Sequence, residues 1–259
     1  MELPIFHVDA FTGRLFGGNP AAVVLLPQWL PDQTLQAIAA ENNLPETAFV
    51  VPLQGVFGLR WFTPEVEVDL CGHATLASAH VLFNHGHAAP PEIVFQYQGG
   101  TLTVTQAGEL LALRFPARPP QPAQCDAALV AALGATPREV YRARDLLAVF
   151  ETQQEVEELR PDFQAIALLG SFGVIVSAPG QDCDFVSRFF APRVGIPEDP
   201  ATGSSHCTLV PYWSDRLGKQ TLHALQLSRR RGEIFCEHQG TWVQIAGRAV
   251  EYLRGHICL

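Results

Sequence analysis

The sequence predicts an α+β fold, rich in short strands and built as two pseudo-symmetric halves that each carry one long apolar helix. Three observations lead there. A segment from Arg60 to Gly86, RWFTPEVEVDLCGHATLASAHVLFNHG, returns between Arg188 and Gly218 as RFFAPRVGIPEDPATGSSHCTLVPYWSDRLG. Each copy opens with Arg, two aromatics, a small residue and Pro. An alternating run (Val66 and Val68; Val194 and Ile196), an Asp, a Gly-containing turn and an apolar helix-like stretch follow. Elsewhere, short apolar and β-branched runs punctuated by Gly and Pro carry the strand signature. The copies lie roughly half a chain apart, a period far too long for a solenoid and suited to two copies of one domain.

Taken in order, Ile5 to Phe11 reads as an opening strand, Gly17-Gly18-Asn19-Pro20 as a turn and Ala21 to Leu26 as a buried strand. Pro31-Asp32 begins a helix with Leu35, Ile38 and Ala39 on one face. It stops by Leu44, because the residue before Pro45 is biased away from helix. Strands follow at Thr47–Val51, Leu59–Phe62, Glu92–Tyr97, Thr101–Gln106 and Leu110–Phe115. Ala74 to Phe83 is apolar on nearly all sides, which marks a buried helix.

Pro116 to Pro122 holds four prolines in seven residues and suits neither a helix interior nor a central strand. It places the boundary between an N-terminal half, 1–116, and a C-terminal half, 117–259, with the last few residues of the chain packing back on the first half. Beyond it come a helix from Asp126, strands around Val140–Tyr141 and Leu146–Phe150, and a helix from Glu155 interrupted by Pro161. A strand at Gly173–Ser177 precedes the second apolar helix. That helix starts at Ser205 and is expected to kink or end at Pro211. Ala224 to Ile257 reads as a strand meander broken at Gly232, Gly240, Gly247 and Gly255.

Composition narrows the partners. The net charge of −9 argues against nucleic acid, whose phosphates need clustered Lys and Arg. The one basic run, Arg229-Arg230-Arg231, reads as a solvated turn. Nothing reaches the unbroken apolar length of a membrane span, and the N-terminus has no basic start or long apolar core of a signal peptide. Six scattered cysteines without a CxxC pair fit reduced thiols in a cytoplasm. Metal-ligand spacings such as HExxH are absent, so no metal is expected.

The chemistry should sit at the two Gly turns. Backbone N–H groups in a helix's first turn lack intrahelical partners and lie at the positive end of the macrodipole. Gly72-His73 and Gly203-Ser204 occupy such starts and can hold a carboxylate, or be plain helix caps. Two such turns facing one cleft would suit an anion whose protons are to be moved. Glu46 is polar amid apolar neighbours at a strand start, either a solvated turn residue or an acid–base group. His73 can relay a proton near neutral pH, or stand on the surface. Asp199 is either a turn residue or a hydrogen-bond partner of a ligand. Cys71 is either a thiolate lowered by the helix end or a small buried hydrophobe. Ser204 and His206, two apart, diverge on a helix and make a poor nucleophile–base couple.

FTGRLFGGNPAAVV, ENNLPETAFV, WFTPEVEVDLCGHATLASA and EDPATGSSH together closely resemble the PhzF-like phenazine-biosynthesis family, in its order and over most of the chain. The resemblance implies the diaminopimelate epimerase-like fold: two similar domains, each a barrel-like, mostly antiparallel sheet around a central helix, with the active site in the cleft between them. It implies an isomerase without cofactor, working as a homodimer on a small carboxylated substrate. Carried over by motif, Glu46 is the general acid/base, His73 the histidine of GHAT, Asp199 and Ser204 the acid and serine of EDPATGS, and Asn19 the asparagine of the GNP turn. Burial beside a bound carboxylate would let one Glu act as base and then acid. Epimerases of this fold use two cysteines, one per half; the second turn here has none, so two-thiol racemization is not expected. The reading is a proton-shift isomerase, with Glu46, His73 and Asp199 catalytic and Asn19, Gly72, Gly203 and Ser204 binding substrate. An amino-acid racemase or epimerase, or an idle binding protein on the same fold, are the alternatives.

Overall fold

In the first half the extended runs fold into β1 (Glu2–Ala10), β2 (Asn19–Leu25), β3 (Glu46–Pro52), β4 (Phe57–Phe62), β5 (Glu67–Val68), β6 (Glu92–Tyr97), β7 (Gly100–Ala107) and β8 (Leu110–Pro116), with helices α1 (Asp32–Asn42) and α2 (Gly72–Asn84) between them. These positions come from a computed structural model, which describes residues 1–259. The chain forms two units, Met1–Arg114 with Ala246–Leu259, and Phe115–Ile245.

Across the first sheet, the final strand Ala249–Cys258 lies antiparallel to β1 and β1 antiparallel to β2; β2 is parallel to β3, β3 antiparallel to β4, β4 parallel to β6, and β6–β7–β8 antiparallel. Side chains alternate between the two faces of a strand. Ala22, Val24, Phe49 and Val51 therefore join Leu35, Ile38 and Ala39 of α1 in one core. The intervening residues turn to the opposite face, where α2 packs on β1, β2 and β3.

The second unit contains β9 (Gln121–Pro122), α3 (Ala127–Leu133), β10 (Glu139–Arg142), β11 (Leu146–Val149), α4 (Gln153–Glu158), α5 (Phe163–Ala167), β12 (Val174–Pro179), β13 (Phe185–Phe190), α6 (Gly203–Leu217), β14 (Thr221–Gln226), β15 (Gly232–Gln239) and β16 (Trp242–Gly247); the last strand of the first unit is β17. Its pairings run antiparallel for β9–β10 and β10–β11, parallel for β11–β12, antiparallel for β12–β13, parallel for β13–β14 and antiparallel for β14–β15. That is the series of the first unit, from β17–β1 to β6–β7. α2 and α6 both enter between the corresponding strands, so the repeated sequence is a duplicated fold. Leu129, Leu133, Val156 and Ile166 cover one face of the second sheet. On the other, the Trp213 ring of α6 stacks on Phe185 at 5.6 Å and its indole N–H donates to Ser177 Oγ at 2.9 Å.

The fold departs from the sequence reading in several places. α6 starts at Gly203 and continues past Pro211 to Leu217, so Pro211 does not end it. Proline leaves the carbonyl four residues earlier without its helical donor. That carbonyl belongs to Cys207, and the Arg118 N–H of the Pro-rich stretch donates to it at 2.8 Å. The alternating valines of the repeat are not strand cores: Val66 and Val194 are exposed, and the second copy forms a 3-10 turn at Pro192–Val194. The helix expected from Glu155 starts at Gln153, because Thr152 and Glu155 form a capping box. Asn19 and Pro20 already belong to β2. The terminal meander is divided between the units, and Gly255 does not break β17 but sits opposite Ile5. No helix is long and apolar enough to cross a membrane.

Candidate active site

β3 begins at Glu46, beside Ala21 of the parallel strand β2. Since Phe49 and Val51 face α1, Glu46 faces α2, as does Asn19 two residues before Ala21. The GNP turn that leads there needs glycine at Gly18: φ is +55°, and a Cβ would lie 2.0 Å from the Ala10 carbonyl oxygen.

α2 delivers the partners of Glu46. His73 Nε2 lies 3.1 Å from Glu46 Oε2, and His73 Nδ1 lies 3.4 Å from Cys71 Sγ. All three are buried, at 8, 6 and 6 % exposure for Glu46, His73 and Cys71. The helix is apolar throughout this region, so its start is held inside the unit and the imidazole is sequestered rather than on the surface. Cys71 is the N-cap residue and makes no side-chain cap. The N–H groups of Gly72 and His73 therefore have no partner inside the helix and lie at its positive end.

Burial pushes the Cys71 thiol up, and the Glu46 carboxylate adds to that. For His73, burial favours the neutral ring, yet the Cys71 sulfur and the Glu46 carboxylate raise it well above the ordinary histidine range. The Cys71 sulfur and the Glu46 carboxyl are the two groups that hold the His73 proton against burial. A nitrogen-15 NMR titration checks this: His73 should remain protonated well above its ordinary range. Glu46→Gln should lower it, since burial is then opposed by the Cys71 sulfur alone. Ordinary titration of His73 in both proteins would refute the pairing.

Asp199, Gly203 and Ser204 belong to the second unit. The Thr202 hydroxyl donates to Asp199 Oδ2. Gln226, wholly buried, braces this turn: its amide donates to the Asp199 carbonyl at 2.7 Å and to Thr202 Oγ1 at 3.0 Å, while its Oε1 accepts from the Thr202 N–H at 2.7 Å. Gly203 opens α6, and Ser204 Oγ accepts from Arg144 Nη2 at 3.3 Å. His206 turns away from Ser204: its Nδ1 lies 2.8 Å from the Thr202 carbonyl, and burial holds its pKa down to about 4. Gln226 and Arg144 had no motif around them. The only signal for Gln226 was a lone amide in an alternating apolar strand.

The duplication allows the two units to be compared position by position. Arg60 pairs with Phe49 and Arg188 with Val176. Counting back three residues from each partner aligns Glu46 with Gly173, and the helix starts align Cys71 with Thr202, Gly72 with Gly203 and His73 with Ser204. The buried carboxylate–imidazole–thiol group thus exists in one unit only.

The family described as "Phenazine biosynthesis-like protein" matches residues 8–255. A Pseudomonas aeruginosa protein named as an uncharacterized isomerase is 49% identical over 259 residues, covering 100% of both chains. The crystal structure of a phenazine biosynthesis protein of the PhzF family from Enterococcus faecalis superposes with a TM-score of 0.99 at 46% identity, with 100% of both chains covered. A hydroxyproline epimerase from Agrobacterium vitis shares the fold at a TM-score of 0.62 and 10% identity, covering 99% of this chain and 92% of that one. The likeness to the named isomerase at 49% identity and to the PhzF-family structure supports an activity of the isomerase type, and the epimerase shows the fold alone. Matched by the family profile over nearly its whole length and by relatives at almost half identity, the chain belongs to the PhzC/PhzF phenazine biosynthesis-like family.

Proposed function

We propose that this protein is a cofactor-independent isomerase that moves a proton on a small carboxylated metabolite, with Glu46 as both base and acid. The observation that carries the reading is the one-sided placement of Glu46 against His73 at 3.1 Å. Gly173 and Ser204 stand at the corresponding positions of the other unit. The substrate carboxylate is received by the N–H groups of Gly72 and His73. Glu46 then takes the proton from a carbon activated by that carboxylate, and the charge left on the substrate is stabilised by the helix end and the imidazolium. The protonated Glu46 returns the proton to a second carbon on the same face, so nothing is gained or lost overall.

A racemase with opposed bases would need an ionisable partner in the second unit. Its residues aligned with Glu46, Cys71 and His73 are Gly173, Thr202 and Ser204, none of them a base, and the nearby acid Asp199 accepts from the Thr202 hydroxyl. Incubation with small carboxylated metabolites in deuterated water separates the cases. A proton shift predicts an isomer with deuterium incorporated and the configuration at the carbon bearing the carboxylate not randomised. Deuteration with loss of optical activity in an otherwise unchanged compound would favour the racemase. No exchange with any compound would favour a binding protein.

A further inference from the structure

Glu46, Cys71 and His73 are described above as a proton-handling group, but their donor atoms have a second property. One carboxylate oxygen, one sulfur and one imidazole nitrogen all lie within 4.8 Å of one another, and all three residues are buried. We propose that this trio is a binding site for one thiophilic divalent cation of the Zn²⁺ class, whose occupancy shuts the proton-handling pair.

The geometry is close to what such an ion needs. Tetrahedral zinc with bonds of about 2.0–2.3 Å sets its ligand atoms roughly 3.4–3.6 Å apart. Here the nitrogen–oxygen distance is 3.1 Å, and Cys71 Sγ lies 3.4 and 4.0 Å from the two ring nitrogens of His73. Nε2, the nitrogen that meets Glu46, is the one 4.0 Å from the sulfur, so the Cys71 side chain or the imidazole ring has to turn for the three to share one centre. The ligands come from two separately anchored elements, the start of β3 and the start of α2, so the site is largely built before the ion arrives. The set is one soft sulfur, one imidazole and one carboxylate, which selects Zn²⁺, Co²⁺ or Cd²⁺ over Mg²⁺ and Ca²⁺. Three protein ligands leave a fourth position open. Binding displaces the thiol proton of Cys71 and the proton of the ligating ring nitrogen into solvent.

The ion and the proton transfer exclude each other, because both use the same Glu46 oxygen and the same imidazole. Binding itself does not depend on the proposed reaction; only the inhibitory consequence rests on it.

Titration of the purified full chain with Co²⁺ tests the site. One equivalent should produce tetrahedral d–d bands in the visible and a thiolate-to-cobalt charge-transfer band, and Zn²⁺ should displace both while Mg²⁺ does not. Cys71→Ser should abolish the charge-transfer band. Glu46→Gln should keep the band but weaken binding by at least the roughly 10–100-fold that loss of a mere supporting residue costs. The exposed Cys125 and Cys258 serve as controls, and serine at either should leave the titration unchanged. The proposal is overturned if wild type gives no thiolate–cobalt band, or if Cys71→Ser and Glu46→Gln both titrate like wild type. Should Cys71→Ser fail to fold, Glu46→Gln alone decides. Inhibition of deuterium exchange by Zn²⁺, reversed by a chelator, is the linked readout. Binding without inhibition would count against the proposed reaction and leave the metal site standing.

Discussion

Glu46→Gln should remove turnover by a factor on the order of 10²–10⁴ or more while leaving the melting temperature within a few degrees of wild type. The amide has the shape of the carboxylate and can still meet His73, so the buried packing at the start of β3 is retained. What it lacks is a lone pair basic enough to take a proton from carbon. The measurement is deuterium exchange into a substrate that wild type converts, beside a binding titration with the same compound. Binding should persist, because in the proposed mode the backbone at the start of α2, and not Glu46, would hold the substrate carboxylate. Full exchange in this variant would sink the assignment of Glu46. Loss of exchange together with loss of folding would be resolved by Glu46→Asp, which keeps the base and shortens its reach.

Arg188→Met should destabilise the second unit by roughly 2–3 kcal/mol, between the cost of an exposed pair and that of a wholly buried one, because Arg188 is buried and Glu198 only partly so. Arg188 is 8 % exposed and forms a two-bond fork with Glu198, at 2.7 and 3.0 Å. Its remaining nitrogen donates to the carbonyls of Val156 and Leu159 at 3.0 Å, at and just past the end of α4. Methionine fills much of the volume but takes the donors from the Glu198 carboxylate and the Val156 carbonyl, while the Leu159 carbonyl keeps Arg160 at 3.0 Å. The matching residue of the first copy, Arg60, makes the same fork with Glu67 and a further contact with Asp32, yet these partners face solvent, Asp32 at 80 % side-chain exposure. Arg60→Met should therefore cost only about 1 kcal/mol. Thermal unfolding compares the two, and at about 2–4 °C per kcal/mol the Arg188 variant should melt several degrees below wild type. Glu198→Gln added to Arg188→Met should recover part of the loss, since the uncompensated charge is then removed. Equal small effects at both arginines would refute the burial argument.

Much of this architecture was legible in the residues. The apolar periodicity around Leu35, Ile38 and Ala39 and the unbroken apolarity of Ala74–Phe83 each follow from how an element hides its side chains. The motif residues Glu46 and His73 could be named because their surroundings are unusual: charged or titratable groups set among apolar neighbours. Less legible was anything depending on a partner distant in the chain. Pro211 looked like a helix end because the donor that satisfies Cys207 comes from Arg118, far earlier in sequence. Val66 and Val194 looked like strand residues because alternation records a pattern and not a neighbour. Gln226 gave no sign of bracing Asp199 and Thr202, since its role depends on where β14 lies. Cys71 read as a filler or a nucleophile, and its contact with His73 was hidden by the short spacing, which matches no metal motif.

By itself the sequence determined the class of fold and the doubling of that fold, because periodicity and turn residues are local signatures, and its motifs named the candidate site residues. Tertiary structure alone decided which of those residues meet. The parallel register of β2 and β3 and the burial of the α2 start bring Glu46, His73 and Cys71 together, while the same fold in the second unit offers Gly173, Ser204 and Thr202. Two nearly equal backbones thus carry unequal chemistry, and only side-chain proximity, set by strand pairing and helix burial, distinguishes them.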